Sequence, residues 1–371
     1  MNNICFHPWV GLEVNPQQEF KPCCLYQKSL ADNLPDYQNS KELAELKQSF
    51  LNGEYPVGCK TCWDREQAGL PSKRITDWKY VYNEESPGLD TLKVLMFDFG
   101  NACNLACRTC SSKYSSTWIN EEQKLLEHFP SIKIHKHQKF YQDKIFMDQI
   151  KDACTGLVRL QILGGEPFIA GFDEHLDLLE FLVKHNAKNI DLHYTTNGTI
   201  FPRKEFWELW KNFKSLHIQL SIDGIESQFE YMRWPAKWEQ ISESIQLYRK
   251  QSLPHNLTIA YTVSAINVYY FPEFYKWILQ NNFKDPFINI LDVPKLYNIK
   301  VFPKSIKDKI AEKLLKYHFT EIVSYMYAED YSEQFDDTIK IIRLVDQQRN
   351  QSFNESYPEF NQILQEAGCQ I

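Results

Sequence analysis

Three cysteines lie close together in the stretch DFGNACNLACRTCSS, which covers residues 98–112. Cys103, Cys107 and Cys110 have the spacing C-x3-C-x2-C. A structural zinc site, or an iron–sulfur site built from protein ligands alone, normally takes four ligands. Three thiolates on a [4Fe–4S] cluster would leave one iron free to bind another molecule. The alternatives for this run are a fragment of a zinc knuckle and buried free thiols.

A second group of cysteines lies in the amino-terminal part of the chain, at Cys5, Cys23, Cys24, Cys59 and Cys62. A C-x2-C pair joined by distant cysteines is a common four-ligand metal pattern, and the residues alone favour zinc. Adjacent residues of a strand point to opposite faces, so Cys23 and Cys24 cannot easily ligate one group. We expect Cys5, Cys59 and Cys62 to be ligands, with Cys23 as the fourth and Cys24 as its alternative.

Composition limits the class of protein. The chain has 371 residues, of which 43% are hydrophobic, and this is enough to bury a full-sized core. A net charge of -7 argues against a general nucleic-acid-binding protein. The start of the chain, MNNICFHPWV, lacks the pattern of a signal peptide, and no apolar run approaches the ~18 residues of a membrane span. We therefore expect a cytoplasmic protein without a membrane partner. In such a protein the ten cysteines are expected to be metal ligands in preference to disulfide partners.

The pattern of the chain predicts three domains, at residues 1–90, 91–300 and 301–371. The first is cysteine-rich and contains one amphipathic helix, which begins after Ser40 and ends at Gly53. The stretch NEESPGLDT, residues 83–91, has the composition of a linker. The last region has helical patterning, and Pro303 suits the first turn of a helix.

The middle region alternates short β-rich runs with amphipathic helical runs, which is typical of a parallel α/β sheet with right-handed crossovers. Six such units predict a partial (β/α)6 barrel that resembles part of a TIM barrel, whose chemistry sits at the carboxyl ends of the strands. The six predicted strands cover residues 92–99, 157–163, 189–196, 215–222, 257–263 and 286–293.

Polar or glycine-rich residues follow the predicted strands. The cysteine loop follows the first strand, GGEP (164–167) the second and TNG (196–198) the third, while SIDG (221–224) and VSAIN (263–267) end the next two. Each of these stretches alone is most simply a turn. Their shared position at the mouth of one barrel, together with the cysteine loop, favours a common site.

The C-x3-C-x2-C run after the first strand and the GGEP after the second resemble the radical S-adenosylmethionine (SAM) superfamily. The longer string CNLACRTCSSKYSSTW resembles the subgroup with a SPASM or twitch domain for an auxiliary cluster. The amino-terminal cysteines and their helix are similar to such segments, although these usually follow the barrel. Because of this resemblance, an auxiliary [4Fe–4S] cluster is favoured over zinc for the amino-terminal cysteines.

The resemblance implies that Cys103, Cys107 and Cys110 hold a [4Fe–4S] cluster whose open iron binds SAM. One electron from the cluster would cleave SAM, and the 5′-deoxyadenosyl radical would abstract a hydrogen atom from a substrate. The positions that match the family's SAM contacts are Gly164, Gly165, Glu166, Asn197, Ser221, Asp223, Arg233, Val263 and Asn267.

Two cysteines stand apart from both groups. Cys154 is expected to be a buried small apolar residue. Cys369, near the carboxyl terminus, is either an inert thiol or a hydrogen-atom donor to a substrate radical, as epimerisation would require.

The expected substrate is a peptide or protein, and the expected electron donor is a protein such as flavodoxin or ferredoxin. The alternatives are a radical SAM dehydrogenase or epimerase acting on a sugar or nucleoside, and a zinc-binding protein without catalytic activity.

Overall fold

The centre of the molecule is one mixed β-sheet in a computed structural model that describes residues 4–81 and 91–369. The described strands pair in the order β2-β1-β3-β4-β5-β6-β7-β8. Only β1 and β2 among them pair antiparallel, and every other neighbouring pair is parallel. The strands are β1 (Gly11–Val14), β2 (Phe20–Lys21), β3 (Val94–Phe97), β4 (Arg159–Ile162), β5 (Asp191–Thr196), β6 (Ser215–Ser221), β7 (Asn256–Val263) and β8 (Phe287–Ile290).

The six predicted strands are β3 to β8, so the predicted partial barrel of parallel strands is confirmed. The described strands leave β2 and β8 as edges of an open sheet. The structure adds β1 and β2, which the sequence pattern did not predict. β1 pairs parallel with β3, with Leu12 opposite Leu95. The first region therefore contributes strands to the central sheet, and the division into three domains stays a prediction.

Helices connect the strands and build the carboxyl-terminal region. They are α1 (His7–Val10), α2 (Leu34–Gln38), α3 (Lys41–Leu51), α4 (Lys60–Gln67), α5 (Lys73–Val81), α6 (Ile119–Leu125), α7 (Lys144–Ala153), α8 (Phe172–His185), α9 (Lys204–Trp210), α10 (Glu226–Met232), α11 (Trp238–Arg249), α12 (Phe271–Gln280), α13 (Lys304–Lys316), α14 (Thr320–Tyr327), α15 (Phe335–Arg349), α16 (Phe353–Ser356) and α17 (Pro358–Glu366).

The predicted start of one helix is borne out, and the predicted start of another differs by one residue. The Ser40 side chain accepts a hydrogen bond from the Leu43 backbone at the start of α3, and Pro303 directly precedes α13. Most of the predicted linker, residues 83–90, lies outside the described residues, of which Thr91 is the next. None of the described helices is long and apolar enough to span a membrane.

The two faces of the sheet differ in chemistry because successive strand residues point to opposite faces. On the convex face, Leu160, Leu192 and Ile218 are fully buried in the main apolar core, which also includes the apolar side of α8. On the concave face, the rings of His193 and His217 stack at 4.1 Å between centroids. This face is polar and is therefore suited to bind ligands.

The amino-terminal helices cover part of the concave face. The Arg65 guanidinium of α4 donates to Asn289 Oδ1 of β8 at 3.2 Å. Asp77 Oδ1 of α5 lies 3.8 Å from Arg159 Nη1 of β4. The cysteine-rich region is thus fixed against the inside of the barrel.

Candidate functional site

The loop after β3 brings Cys103, Cys107 and Cys110 together. All three thiols are half-buried, and the pKa of Cys110 is raised by burial first and then by the neighbouring Cys107 and Cys103 thiols. The loop has no regular structure, so hydrogen bonds to another segment hold it. The Ala106 N–H donates to the Trp234 carbonyl and the Arg108 N–H to the Met232 carbonyl, both at 2.8 Å.

Side chains of the SSKYSSTW stretch fix the carbonyls of the same loop. Ser115 Oγ donates to the Leu105 carbonyl at 2.5 Å, and Thr117 Oγ1 to the Cys103 carbonyl at 2.6 Å. Trp118 Nε1 donates to the Cys107 carbonyl at 2.9 Å. Because these hydrogen bonds fix the backbone of the loop, the cysteine side chains keep a defined direction.

The turn after β4 packs directly against the cysteine loop. Gly164 and Gly165 have φ of +52° and +38°, a conformation that favours glycine. A Cβ atom at Gly165 would overlap the Ala102 carbonyl, and one at Gly164 would overlap the Asp98 side chain. The two glycines therefore permit a close approach between this turn and the start of the loop.

Glu166 is a buried acceptor at the base of this turn. Its Oε1 accepts from Thr196 Oγ1 at 2.6 Å, and its Oε2 accepts from the Asn197 backbone at 2.8 Å. Burial raises the pKa of Glu166 to about 7, although these hydrogen bonds oppose the rise. The Asn197 amide also donates to Cys103 Sγ at 3.8 Å, which joins the carboxyl group to the cysteine loop.

Asp223 and Arg233 form a largely buried ion pair beside the Cys107 thiol. Arg233 Nη2 lies 2.7 Å from Asp223 Oδ2, while Arg233 Nη1 donates to Cys107 Sγ at 3.6 Å. Asp223 Oδ1 accepts from the Thr262 backbone at 2.8 Å. The Asn267 amide donates to the Asp223 carbonyl at 3.2 Å, so the ends of β6 and β7 are linked.

The remaining positions from the sequence lie on the same strand ends. Ser221 is the last residue of β6 and is half-buried. Val263 ends β7 with a fully buried side chain in the apolar core, so any ligand contact there would come from its backbone.

Arg108 is a residue of the site that sequence reasoning missed. Its guanidinium is fully buried, forms an ion pair with Asp346 of α15 and donates to Gln351 Oε1 at 3.0 Å. It also stacks over the Tyr231 ring, 3.6 Å from the centroid. The only signal in the sequence was the position of this charged residue between the expected ligands Cys107 and Cys110. That position did not identify its partner.

Arg349 makes a second connection between α15 and the cysteine loop. It donates to Glu121 Oε2 at 2.8 Å and 2.9 Å. Its guanidinium lies over the rings of Trp118 and Trp234, at 4.7 Å and 5.0 Å from their centroids. The Trp118 indole donates to the Cys107 carbonyl, and the Trp234 carbonyl accepts from the Ala106 N–H. The carboxyl-terminal helices therefore support the shape of the cysteine loop.

The amino-terminal cysteines form a separate pocket. Its empty volume is about 320 Å³, including its opening to solvent, and Arg74 and His7 lie in its wall. Cys24 is exposed and does not line it. The cysteines that line the pocket are Cys5, Cys23, Cys59 and Cys62.

Among the described residues, no three His, Cys, Asp or Glu side chains converge at the spacing of a single bound metal ion. A [4Fe–4S] cluster attaches each thiolate to a different iron. One cysteine set shares a loop and the other shares a pocket.

The two isolated cysteines lie apart from both sets. Cys154 directly follows α7 and is fully buried, as expected. Cys369 is near Asp336, in the first turn of α15. Arg349 ends that helix, and a rise of 1.5 Å per residue puts it about 20 Å farther along the axis. The structure does not bring Cys369 to the cysteine loop.

Residues 97–278 match the model of the Radical SAM superfamily. The chain carries a radical SAM domain. The matched segment begins in β3 and ends in α12, so it contains the cysteine loop, the GGEP turn, and the Asp223–Arg233 pair.

Curated relatives of the radical SAM domain include sulfatase-maturating enzymes. The chain is 25% identical over 239 residues to the cysteine-type anaerobic sulfatase-maturating enzyme of Clostridium perfringens, covering 61% of this chain and 58% of the relative. It is 24% identical over 202 residues to that of Clostridium novyi, covering 53% of this chain and 50% of the relative. The chain thus spans between half and three fifths of the relatives' length.

Solved structures with partial similarity include native anSMEcpe with bound AdoMet, at 19% identity and a TM-score of 0.45, covering 63% of this chain and 62% of that chain. Another is Streptococcus suis SuiB bound to S-adenosylmethionine, at 14% identity and a TM-score of 0.37, covering 71% of this chain and 51% of that chain.

The contacts of Arg108 predict a large loss of stability on its replacement. Arg108→Gln leaves Asp346 without its cation, and we expect the free energy of unfolding to fall by about 3–5 kcal/mol. Urea denaturation followed by circular dichroism measures this change. The control is Arg343→Gln, at an exposed residue of α15, the helix that carries Asp346, and it should change the value by less than about 0.5 kcal/mol. Equal losses in both variants would contradict the role given to Arg108.

Proposed function

We propose that this protein is a radical SAM enzyme that reductively cleaves SAM and abstracts a hydrogen atom from a peptide or protein. The observation that carries the proposal is the meeting of three half-buried thiols, the GGEP turn and the Asp223–Arg233 pair within the radical SAM domain. The donor set fits a [4Fe–4S] cluster with an open iron, because one loop supplies three thiols to a cluster that has four irons.

Each matched residue has a proposed task. Cys103, Cys107 and Cys110 hold the cluster, which together with SAM supplies the one-electron cleavage that generates a 5′-deoxyadenosyl radical. The glycines of GGEP keep their turn close against the cysteine loop, beside the methionine part of SAM, and Glu166 accepts hydrogen bonds from the ammonium group of SAM. Arg233, already directed at Cys107 and Asp223, balances the negative charge of the thiolates and of the SAM carboxylate. The polar wall for the ribose and adenine comprises Asn197, Ser221, Asp223, Asn267 and the backbone of Val263.

We also propose an auxiliary [4Fe–4S] cluster held by Cys5, Cys23, Cys59 and Cys62. Their shared pocket supports this set, and the position of Cys24 outside that pocket favours Cys23 as the fourth ligand. Four cysteines leave no iron open, so this cluster would support structure or electron transfer. Arg74 in the pocket wall provides a positive charge near the thiolates.

The proposed partners are the substrate peptide and a small redox protein, such as flavodoxin or ferredoxin, that delivers the electron. Sulfatase-maturating relatives favour a protein substrate over a sugar or nucleoside. The cytoplasm is the proposed location, because all ten cysteines are unpaired and thiols stay reduced there.

Anaerobic reconstitution tests the proposed activity. The protein should take up about eight irons per chain, as two [4Fe–4S] clusters require, and release 5′-deoxyadenosine from SAM after reduction. Cys107→Ala should lose this release, whereas Cys154→Ala, at a buried site away from both cysteine sets, should retain it. Binding of one or two zinc ions without SAM cleavage would instead support the zinc-binding alternative.

Iron content separates the two adjacent cysteines of the amino-terminal region. Cys23→Ala should lower the content from about eight irons to about four, because it removes a ligand of the auxiliary cluster. Cys24→Ala is the matched control and should keep about eight. Iron analysis with absorbance spectroscopy measures both, and the reverse result would make Cys24 the ligand.

The affinity for SAM should increase as the pH rises through about 7, the pKa to which burial raises Glu166. Below that pH the carboxyl group holds a proton and attracts the SAM ammonium poorly, whereas above it the group is charged. Equilibrium binding of SAM to the reconstituted enzyme at several pH values measures the effect. Glu166→Gln should bind SAM weakly without this pH dependence, and the exposed Glu180→Gln should behave like the unaltered enzyme. A pH dependence that persists in Glu166→Gln would assign it to another group.

A further inference from the structure

A basic strap, defined as residues 133–139, crosses the surface between α6 and α7 without regular secondary structure. Its sequence is KIHKHQK, and Lys133, Lys136 and Lys139 are exposed. No Asp or Glu occurs in residues 128–142, although the whole chain has a net charge of -7. The basic strap is therefore a positive surface on an acidic protein.

The three lysines of the basic strap have no carboxylate partner within the described residues, whereas Lys113 lies 2.8 Å from Glu19 Oε2. Burial lowers the pKa of His135 and of His137, so the lysines carry the charge of the strap near neutral pH. Exposed charges of one sign without partners attract a molecule of the opposite sign and steer its approach. The basic strap thus has the electrostatic character of a docking surface for an acidic partner.

A buried asparagine fixes the basic strap to the cysteine loop. Asn101 is fully buried, and its side-chain amide donates to the Ser112 carbonyl at 2.7 Å and to the Lys136 carbonyl at 3.2 Å. Its Oδ1 accepts from the Gln138 N–H at 3.3 Å and lies 3.0 Å from His137 Nδ1. These four contacts use both donors and both acceptor sites of the amide. The basic strap therefore has a defined position although it lacks regular secondary structure.

The contacts between the basic strap and the cysteine loop lie close to the proposed cluster ligands. The His135 N–H donates to Ser112 Oγ at 2.8 Å. Ser112 is two residues from Cys110, and Asn101 is two residues from Cys103. Two residues of chain span at most about 7 Å between Cα atoms, so each anchor of the strap is near a proposed ligand.

The basic strap continues onto the convex side of the sheet. Phe140, the residue after the strap, is buried in the main apolar core, and its ring centroid lies 6.2 Å from that of Phe97 on β3. Phe97 is opposite Ile162, two residues beyond Leu160, and therefore belongs to the convex face. A substrate of the proposed reaction must approach the cluster from the inside of the barrel, whereas an electron donor can approach from the outside. The position of the strap therefore favours an electron donor over a substrate.

We propose that the basic strap is the docking surface for an acidic protein that donates one electron to the cluster on the cysteine loop. This proposal rests on the proposed function, since it assigns a surface to the redox partner of that enzyme. The anchors at Asn101 and Ser112 place the docked protein beside the cysteine loop. Complexes between redox proteins are small and weak, so a few charges can determine their affinity. With a flavodoxin as donor, the anionic flavin hydroquinone loses one electron and becomes the neutral semiquinone, the cluster gains that electron, and no proton moves.

Binding of a fluorescently labelled acidic flavodoxin to the reconstituted enzyme tests the docking surface. Replacement of all three strap lysines by glutamine should weaken binding about tenfold, because three charges are removed from the contact. Fluorescence anisotropy measures the affinity, and added salt should weaken binding to the unaltered enzyme more than binding to this strap variant. The control variant loses the same total charge at exposed positions of α13 and should bind like the unaltered enzyme. Its substitutions are Lys304→Gln, Lys309→Gln and Lys316→Gln.

Steady-state release of 5′-deoxyadenosine measures the effect of the basic strap on reduction. With reduced flavodoxin as donor, the strap variant should have a KM for flavodoxin about tenfold above that of the unaltered enzyme, with a similar kcat. With reduced methyl viologen, a small donor that needs no docking surface, the two should release 5′-deoxyadenosine at equal rates. An equal loss with both donors would assign the lysines to the fold or to the SAM site and would overturn the proposal.

A glutamate-rich peptide with a fluorescein label tests the alternative that the basic strap binds an acidic substrate. We expect this peptide to bind at least about tenfold more weakly than flavodoxin, because a flexible peptide loses more conformational freedom on binding than a folded surface does. Peptide binding as tight as that of flavodoxin, and lost in the strap variant, would overturn the redox partner in favour of an acidic substrate.

The binding outcomes separate this proposal from the proposed function. Equal affinity of the strap variant and the unaltered enzyme for flavodoxin, or no binding by either, would overturn the docking surface even if the same preparations cleave SAM. If no preparation cleaves SAM but flavodoxin binding depends on the strap lysines, the docking surface stands and the proposed activity fails.

Discussion

The buried guanidinium of Arg108 is the interaction on which the cysteine loop depends. A loop without regular structure must hold three thiols in one place, and a fully buried cation within it must have partners. Asp346, Gln351 and the Tyr231 ring provide them. The carboxyl-terminal helices are therefore a structural part of the radical SAM site, although the matched family segment ends in α12.

A second constraint is the unequal chemistry of the two sheet faces. Helices pack on the convex face, so the buried apolar side chains that stabilise the fold lie there. The concave face can therefore carry polar groups. The Glu166 carboxyl and the Asp223–Arg233 pair lie at the carboxyl ends of the strands that form this face. Their burial makes electrostatic interactions stronger than in water, so each of these groups has a partner.

The sequence was sufficient for features that depend on local pattern. Strands β3 to β8 were predicted with ends that differ by a few residues, and Ser40 was recognised as a helix cap. β8 ends earlier than predicted, three residues before Val293, and that valine precedes Pro294. β1 was missed because GLEV is buried at every position and has no alternation to reveal a strand.

The geometry of the site was likewise predicted only where it depends on local pattern and strand order. Strand order placed the cysteine loop, GGEP and Asp223 at one edge, because parallel strands align their carboxyl ends. The partner of Arg108 lies 238 residues away, and no local pattern encodes a contact at that distance. The cluster ligands and SAM contacts stay predictions, now with a defined geometry.

The pairing of β1 with β3 has a consequence for the evolution and engineering of such chains. Parallel strands lie about 4.8 Å apart, and a slip of one residue turns every side chain to the other face. The register Leu12↔Leu95 therefore determines how the two cysteine sets are placed relative to each other. The amino-terminal region cannot be exchanged between proteins as a cassette, because any donor segment must also bring a strand that fits the edge of β3.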